Sequence, residues 1–411
     1  MKNIIGLSVG AALTMGLVAT GCGGEEGVEP STSTATVGGE GGGGDSTTTS
    51  AQGGATTTGG GMGGGGPAPL PCLEESAYTD VLTLTMPEHC VVARYDVDGL
   101  DLHPMMWGRH GGLLTWDEVF GEIHIERIAV PVGASGTLTS AGVDGPIDSG
   151  LGYPVGWRSI HELPGTPWTI AAHSSATFSQ GHSWDTLRSL DGAQAVRDWQ
   201  LVDYWASVGL TNGATSRVLY SGASKLVPFA QAVNAVPGLY AADFDAAMPG
   251  EPTSMHLLEA VGPQTIRGLA SDARGAVFGD ASEVGGLDTH LLAWSANAVA
   301  PGQGGAASHT ELAVLTNQWL SAGPRLAAVP LANAQGLLLY QPYHHDTSTR
   351  GDVMMLRYDA SGAEVAAIGT PTAAIVPADE EYRSGIAMVT DPDGRLWLAM
   401  GRSVFVIAPE L

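Results

Sequence analysis

Three kinds of residue in this chain have types and spacings that can do chemistry. Asp96-x-Asp98-Gly99-x-Asp101 places three carboxylates within six residues. That is oxygen-rich enough to attract calcium, a hard cation that takes six to eight oxygens. The related segment Asp359-Ala-Ser361-Gly-Ala does not repeat the triad, so a solvated turn is the expected reading. His344-His345-Asp346 is a compact cluster after Tyr340-Gln-Pro-Tyr343. Adjacent side chains on an extended chain point to opposite sides, so only one of the two histidines can serve a given site. His161, His173 and His182 show neither i, i+4 pairing nor repeat logic. Tyr220-Ser-Gly-Ala-Ser224 lacks the glycine spacing of a nucleophile elbow. Arg350-Gly-Asp352 spells an adhesion tripeptide that chance explains in so Gly- and Asp-rich a chain. No catalytic, metal or cofactor residue is assigned from these patterns, and no cofactor is implied.

The cysteines are more informative. Cys22 follows a basic start (Lys2), an apolar run over 4–18 and the small residues Ala19-Thr-Gly21. This is a secretory signal too short to remain as a membrane span. A cysteine directly after such a site resembles the lipobox of bacterial lipoproteins, although Ala19 stands where that family usually has Leu. The resemblance implies cleavage before Cys22, a palmitate-type diacyl anchor on its thiol, and the lipid bilayer as a partner. Gly23 rather than Asp after the cysteine implies sorting to the outer membrane. In an exported chain the remaining pair, Cys72 and Cys90, is expected to form a disulfide. The loop of about 19 residues is worth roughly 3 kcal/mol on the chain-entropy model.

The composition then divides the chain. Residues 1–21 are the signal. Residues 22–71 hold the lipidated cysteine and a linker of Gly, Ser and Thr with almost nothing apolar. Such a segment cannot bury enough surface to offset its ordering entropy and is expected to be disordered. As a flexible coil it spans on the order of 35–40 Å. Residues 72–411 are long enough for a large core. With 42 Asp and Glu against 17 Lys and Arg, the formal charge is −25. That argues against nucleic acid or anionic lipid as a surface partner.

The elements that position any site are short strands. Val81–Met86, Cys90–Tyr95, Ile123–Val132, Arg217–Tyr220, Gly336–Tyr340, Asp352–Tyr358 and Arg395–Ala399 are apolar or alternating, punctuated by Gly, Pro, Asn and Asp. The stretch 184–208 fits either helix or strand. Arg94-Tyr-Asp96-x-x-Gly99 recurs as Arg357-Tyr-Asp359-x-x-Gly362, and the turn glycines Gly213, Gly275, Gly336 and Gly394 recur roughly every 60 residues. The fold class read from this is all-β, a β-propeller of five to seven blades, six for preference. Each Asp-x-x-Gly is read as turn punctuation: the Asp side chain caps the turn and Gly takes the positive φ. The strand near Val81–Met86 is expected to complete the sheet that holds 395–407.

Ile386-Ala-Met-Val-Thr-Asp391-Pro-Asp-Gly394-Arg-Leu-Trp397-Leu, with 268–278, resembles repeats of the NHL and gluconolactonase-like propellers. The resemblance supports the fold and carries no functional residue across. Two functions follow as expectations. The first is a non-enzymatic binding or scaffold module on the envelope, with an unknown protein or glycan ligand. The alternative is a metal-dependent lactonase- or glycosidase-like propeller hydrolase.

Overall fold

A computed structural model describes residues 71–409, apart from 103, 109–111, 120–121, 149–155, 163–167, 180–181, 192–193, 203–205, 212–214, 223–235, 246–251, 284 and 321–324. The chain divides into two compact units, 1–65 and 66–411, and every described residue lies in the second. Cys22, the signal and the linker up to residue 70 lie outside the described residues, as does Gly213.

The described residues form a β-propeller of six four-stranded antiparallel blades. The second blade runs Met105–Gly108, Gly112–Val119, Glu122–Ala129 and Ser135–Asp148 from the axis outward. The third is Gly156–Glu162, Trp168–Ser179, His182–Asp191 and Gln194–Val202. The stretch left ambiguous by its pattern is thus strand. The fourth is Ser207–Thr211, Thr215–Gly222, Gly238–Asp245 and Pro252–Ala260, and the fifth Gln264–Ser271, Val277–Glu283, Thr289–Trp294 and Thr310–Leu315. The sixth is Leu326–Pro330, Gln335–Tyr340, Val353–Asp359 and Ala366–Pro377. Their innermost strands lie side by side in a closed ring.

The first blade draws on both ends of the domain. Ala387–Thr390, Leu396–Met400 and Ser403–Pro409 take His89–Val97 as their outer strand. This corrects the expected closure. Leu82–Leu84 instead adds a fifth strand to the outer edge of the sixth blade, against Ile375–Pro377. The longer strand closes the ring because seven of its residues pair with Ser403–Pro409, where Leu82–Leu84 has three residues to pair. His89–Val97 also pairs in parallel with Ser135–Leu138 of the second blade. Closure pairs the edge of Ser403–Pro409 with His89–Val97, which ties the two ends of the domain together. Cys72 and Cys90 are joined in a disulfide with Cα atoms 5.5 Å apart, tying the domain's first residues to the closing strand.

The apolar core lies in the wedges between blades. Strand side chains alternate between two faces, and each face of a blade meets a neighbour. Leu337 and Leu339 therefore pack toward the first blade with Leu396, Leu398 and Phe405. Leu338 and Tyr340 pack toward the fifth with Phe278 and Leu291. This is why Gln335–Tyr340 reads as an unbroken apolar run: all three leucines are fully buried, each worth about 1.5–3 kcal/mol.

The Asp-x-x-Gly corners do what their sequence suggests. Asp272 Oδ1 accepts from the amides of Arg274 and Ala276, and Gly275 sits at φ +91°. Asp391 Oδ1 accepts from the Arg395 amide and Oδ2 from the Trp397 indole, with Gly394 at φ +80°. Asp272 does more. Its Oδ2 accepts from Tyr358 Oη at 2.8 Å, and Arg274 donates to Leu331 and Gln335 carbonyls, strapping the fifth blade to the sixth. Burial and the neighbouring Asp272 carboxylate push the Tyr358 phenol well above its ordinary range. Gly336 departs from expectation. It is a strand residue opposite Tyr358, not a turn, and a Cβ there would stand 2.2 Å from the Tyr358 ring. Glycine is required by that close approach rather than by a positive φ.

Candidate functional site

The inner strand of the fifth blade carries a β-bulge. Its ladder with Val277–Glu283 slips between Ile266 and Gly268, leaving Arg267 out of register. Bulges re-aim side chains, and here the Arg267 guanidinium lies 5.1 Å from the centroid of the Trp319 ring. Opposite Gly268 stands Asp280, only 3% exposed. A Cβ on Gly268 would approach Asp280 Oδ1 to 2.3 Å, so the glycine makes room for the carboxyl. Burial pushes the Asp280 carboxyl up to about 7, against the attraction of Arg267 and hydrogen bonds from the Gly268 and Asp280 amides. Burial in turn holds the Arg267 guanidinium below its ordinary value, with Asp280 pulling the other way.

Trp319 belongs to a small antiparallel ribbon made by loops: Gln318–Trp319, Tyr343–His344 and Thr349–Arg350. Register places Trp319, Tyr343 and Arg350 across from one another, and Gln318, His344 and Thr349 likewise. The two sets occupy opposite faces. Trp319 and Tyr343 meet edge-on with centroids 6.1 Å apart. His345 lies parallel to Trp319 and edge-on to Tyr343, 6.2 Å from each. Trp319, Tyr343 and His345 are half-buried, so this aromatic group remains open to solvent beside Arg267.

Gln341 fixes the ribbon to the blades. Its amide donates to the carbonyls of Gly351 and Arg383, and its oxygen accepts from Arg325. Arg383 also donates to Asp352 at 2.9 Å. Behind the ribbon, on the side of Gln318, His344 and Thr349, lies a cavity of about 640 Å³ that Arg350, Asp352 and Arg383 also line.

The residues singled out in the sequence fall as follows. His344 and His345 do go to opposite sides, one to the cavity and one to the aromatic group. Asp96, Asp98 and Asp101 are exposed, and among the described residues no three His, Cys, Asp or Glu converge as a metal site. Ser221 is buried, donating to the Ile266 carbonyl as a strand-to-strand tie, while Ser224 lies outside the described residues. The side chains of His161, His173 and His182 also lie outside them. Asp352 of the Arg-Gly-Asp run is engaged by Arg383 and half-buried, so the tripeptide is not presented as a free loop. Arg267, Asp280 and Trp319 were not found by sequence reasoning. They belong to no motif, and only an alternating strand broken at Gly268 hints at the bulge.

No family model and no curated protein matches the chain. Solved structures do. The α-L-arabinanase of Penicillium chrysogenum is 14% identical, with 80% of this chain and 95% of that one covered and a TM-score of 0.44. The endo-arabinase of Bacteroides thetaiotaomicron is 10% identical, with 77% and 96% covered and a TM-score of 0.37. The Dos1 propeller is 13% identical, with 74% and 66% covered and a TM-score of 0.38. The expectation of a non-enzymatic binding or scaffold module is corrected on this point. Structures named as an α-L-arabinanase and an endo-arabinase stand among those similar to this chain, where the expectation had a non-enzymatic module.

Proposed function

We propose that the propeller is a glycosidase-like hydrolase, held at the bacterial envelope by a lipid on Cys22 and a linker of about 50 residues. The observation that carries the reading is the open aromatic group of Trp319, Tyr343 and His345 with Arg267 beside it. The half-buried rings offer partly exposed apolar surface to the C–H faces of a sugar. Asp280 is buried on the neighbouring strand, and its charge, when present, pulls the Arg267 guanidinium back up against the burial that lowers it. The lipobox-like signal supports the anchor, and the NHL- and gluconolactonase-like repeats agree with the propeller.

Release of reducing ends from arabinan, xylan and galactan tests the activity, with aryl glycosides as small substrates. The expected result is turnover of at least one, with kcat/KM falling at least tenfold in Trp319→Ala, or about 1.4 kcal/mol of lost transition-state binding. Folded wild-type protein that neither cleaves nor retains any of these glycans overturns the reading. A lactone arm with and without EDTA identifies the metal-dependent lactonase as the activity instead.

A further inference from the structure

From 72 to 86 the chain runs as a strap from the closing strand of the first blade to the outer edge of the sixth. At one end Cys72 is bonded to Cys90, and the Leu73 amide donates to the Val91 carbonyl at 2.7 Å. At the other, Leu82–Leu84 pairs with 375–377. There the Thr85 amide donates to the Ala374 carbonyl and the Ala378 amide to the Val81 carbonyl. In between, Arg94 donates to the Ala77 carbonyl and to Asp80. Without the disulfide this hold is thin. Over 73–86 only Tyr78, Val81, Leu82 and Met86 are buried. The Arg94–Asp80 pair lies at the surface, where ion pairs contribute little. Leu82–Leu84 ends its sheet and is paired on one side among the described residues. These contacts must offset the ordering entropy of the whole segment. His89–Val97 is held far better, by seven pairs with Ser403–Pro409 and a parallel pairing to the second blade.

The disulfide changes that balance. It closes 72–90 into a loop, which removes much of the freedom the strap would gain by leaving. We propose that the Cys72–Cys90 bond is a redox-sensitive lock on the strap. Oxidised, it holds 73–86 on the sixth blade; reduced, it lets them go while the ring stays closed through His89–Val97. Cys72 is exposed and Cys90 is buried, so an incoming thiolate meets the Cys72 side of the bond. The reductant is a dithiol. Its thiolate bonds to Cys72 Sγ as the bond between the two Sγ atoms breaks, and Cys90 leaves as a thiolate. The reductant's second thiolate then displaces Cys72, and the reductant becomes a disulfide. Two electrons and two protons end on Cys72 and Cys90. Release uncovers the backbone edge of the sixth blade over 373–378. It also uncovers the apolar cluster that Val81, Leu82 and Met86 share with Leu337, Leu339 and Leu398. The lock does not depend on the hydrolase reading.

Hydrogen exchange on the full chain, read by mass spectrometry before and after dithiothreitol under native conditions, tests this. Alkylation followed by peptide mapping identifies freed Cys72 and Cys90. In the reduced chain, peptides over 73–86 and 373–378 should exchange at least tenfold faster. Peptides over Ser403–Pro409 and Val277–Glu283 should keep their protection. The Cys72→Ser, Cys90→Ser double variant should show the fast pattern without reductant. Unchanged exchange over 73–86 in the reduced chain overturns the proposal, because the strap then holds without its lock. Equal acceleration in every blade overturns it too, because reduction then unfolds the domain rather than the strap. So does a bond that dithiothreitol leaves intact in the folded chain. The comparison is made on the wild-type chain, so it decides the matter even if the double variant does not fold.

Discussion

Replacing Asp280 with Asn should change how the stability of the propeller depends on pH. The Asp280 carboxyl is buried, and its value is raised from 3.8 to about 7. The folded chain therefore holds a proton that the unfolded chain releases above its own, lower value. The favourable contribution is full below about 3.8 and is lost as pH rises through about 7. At about 1.36 kcal/mol per unit, the whole window is worth about 4 kcal/mol, of which about 3 kcal/mol falls between pH 5 and 8. Asparagine keeps the shape of the neutral acid and cannot ionise. Guanidinium unfolding of both proteins at pH 5, 6, 7 and 8 isolates the term, because every other titrating group is common to the pair. The wild type should lose about 3 kcal/mol relative to Asp280→Asn across that range. Two parallel stability curves, agreeing within about 0.5 kcal/mol at every pH, would refute the burial argument.

Gly336→Ala should destabilise by about 2–4 kcal/mol, since its Cβ would displace the buried Tyr358 ring and its hydrogen bond to Asp272. In a Tyr358→Phe background, where that bond is already gone, the same change should cost measurably less in denaturant unfolding. Replacing Cys72 and Cys90 together by Ser should lower stability by about 3 kcal/mol, read as a shift in denaturation midpoint that reductant reproduces in the wild type. Cys22→Ser should abolish metabolic labelling with a palmitate analogue; label retained in the variant, or absent from the wild type, would refute lipid anchoring.

Much of the fold was legible because a propeller blade imposes a local signature. Both faces of a blade are buried against neighbours, so Leu337-Leu338-Leu339 can be read as strand from its composition alone. Each inner hairpin must turn sharply, so Asp272-x-x-Gly275 and Asp391-x-x-Gly394 mark corners that the backbone confirms. The pairing of Cys72 with Cys90 and the divergence of His344 from His345 were equally local: one rests on two cysteines, the other on the two-residue period of an extended chain. What the sequence could not determine depends on stacking. Leu82–Leu84 and His89–Val97 are both plausible closing strands, and only competition for the Ser403–Pro409 edge decides between them. Gly336 reads as a turn until Tyr358 is found against it. Arg267 meets Trp319 because a bulge turns one strand toward a loop some 50 residues away, and Arg350 lines a cavity because three loop segments form a ribbon. Those encounters leave no periodic trace, since each residue is placed by the packing of a neighbouring blade rather than by its own neighbours in the chain.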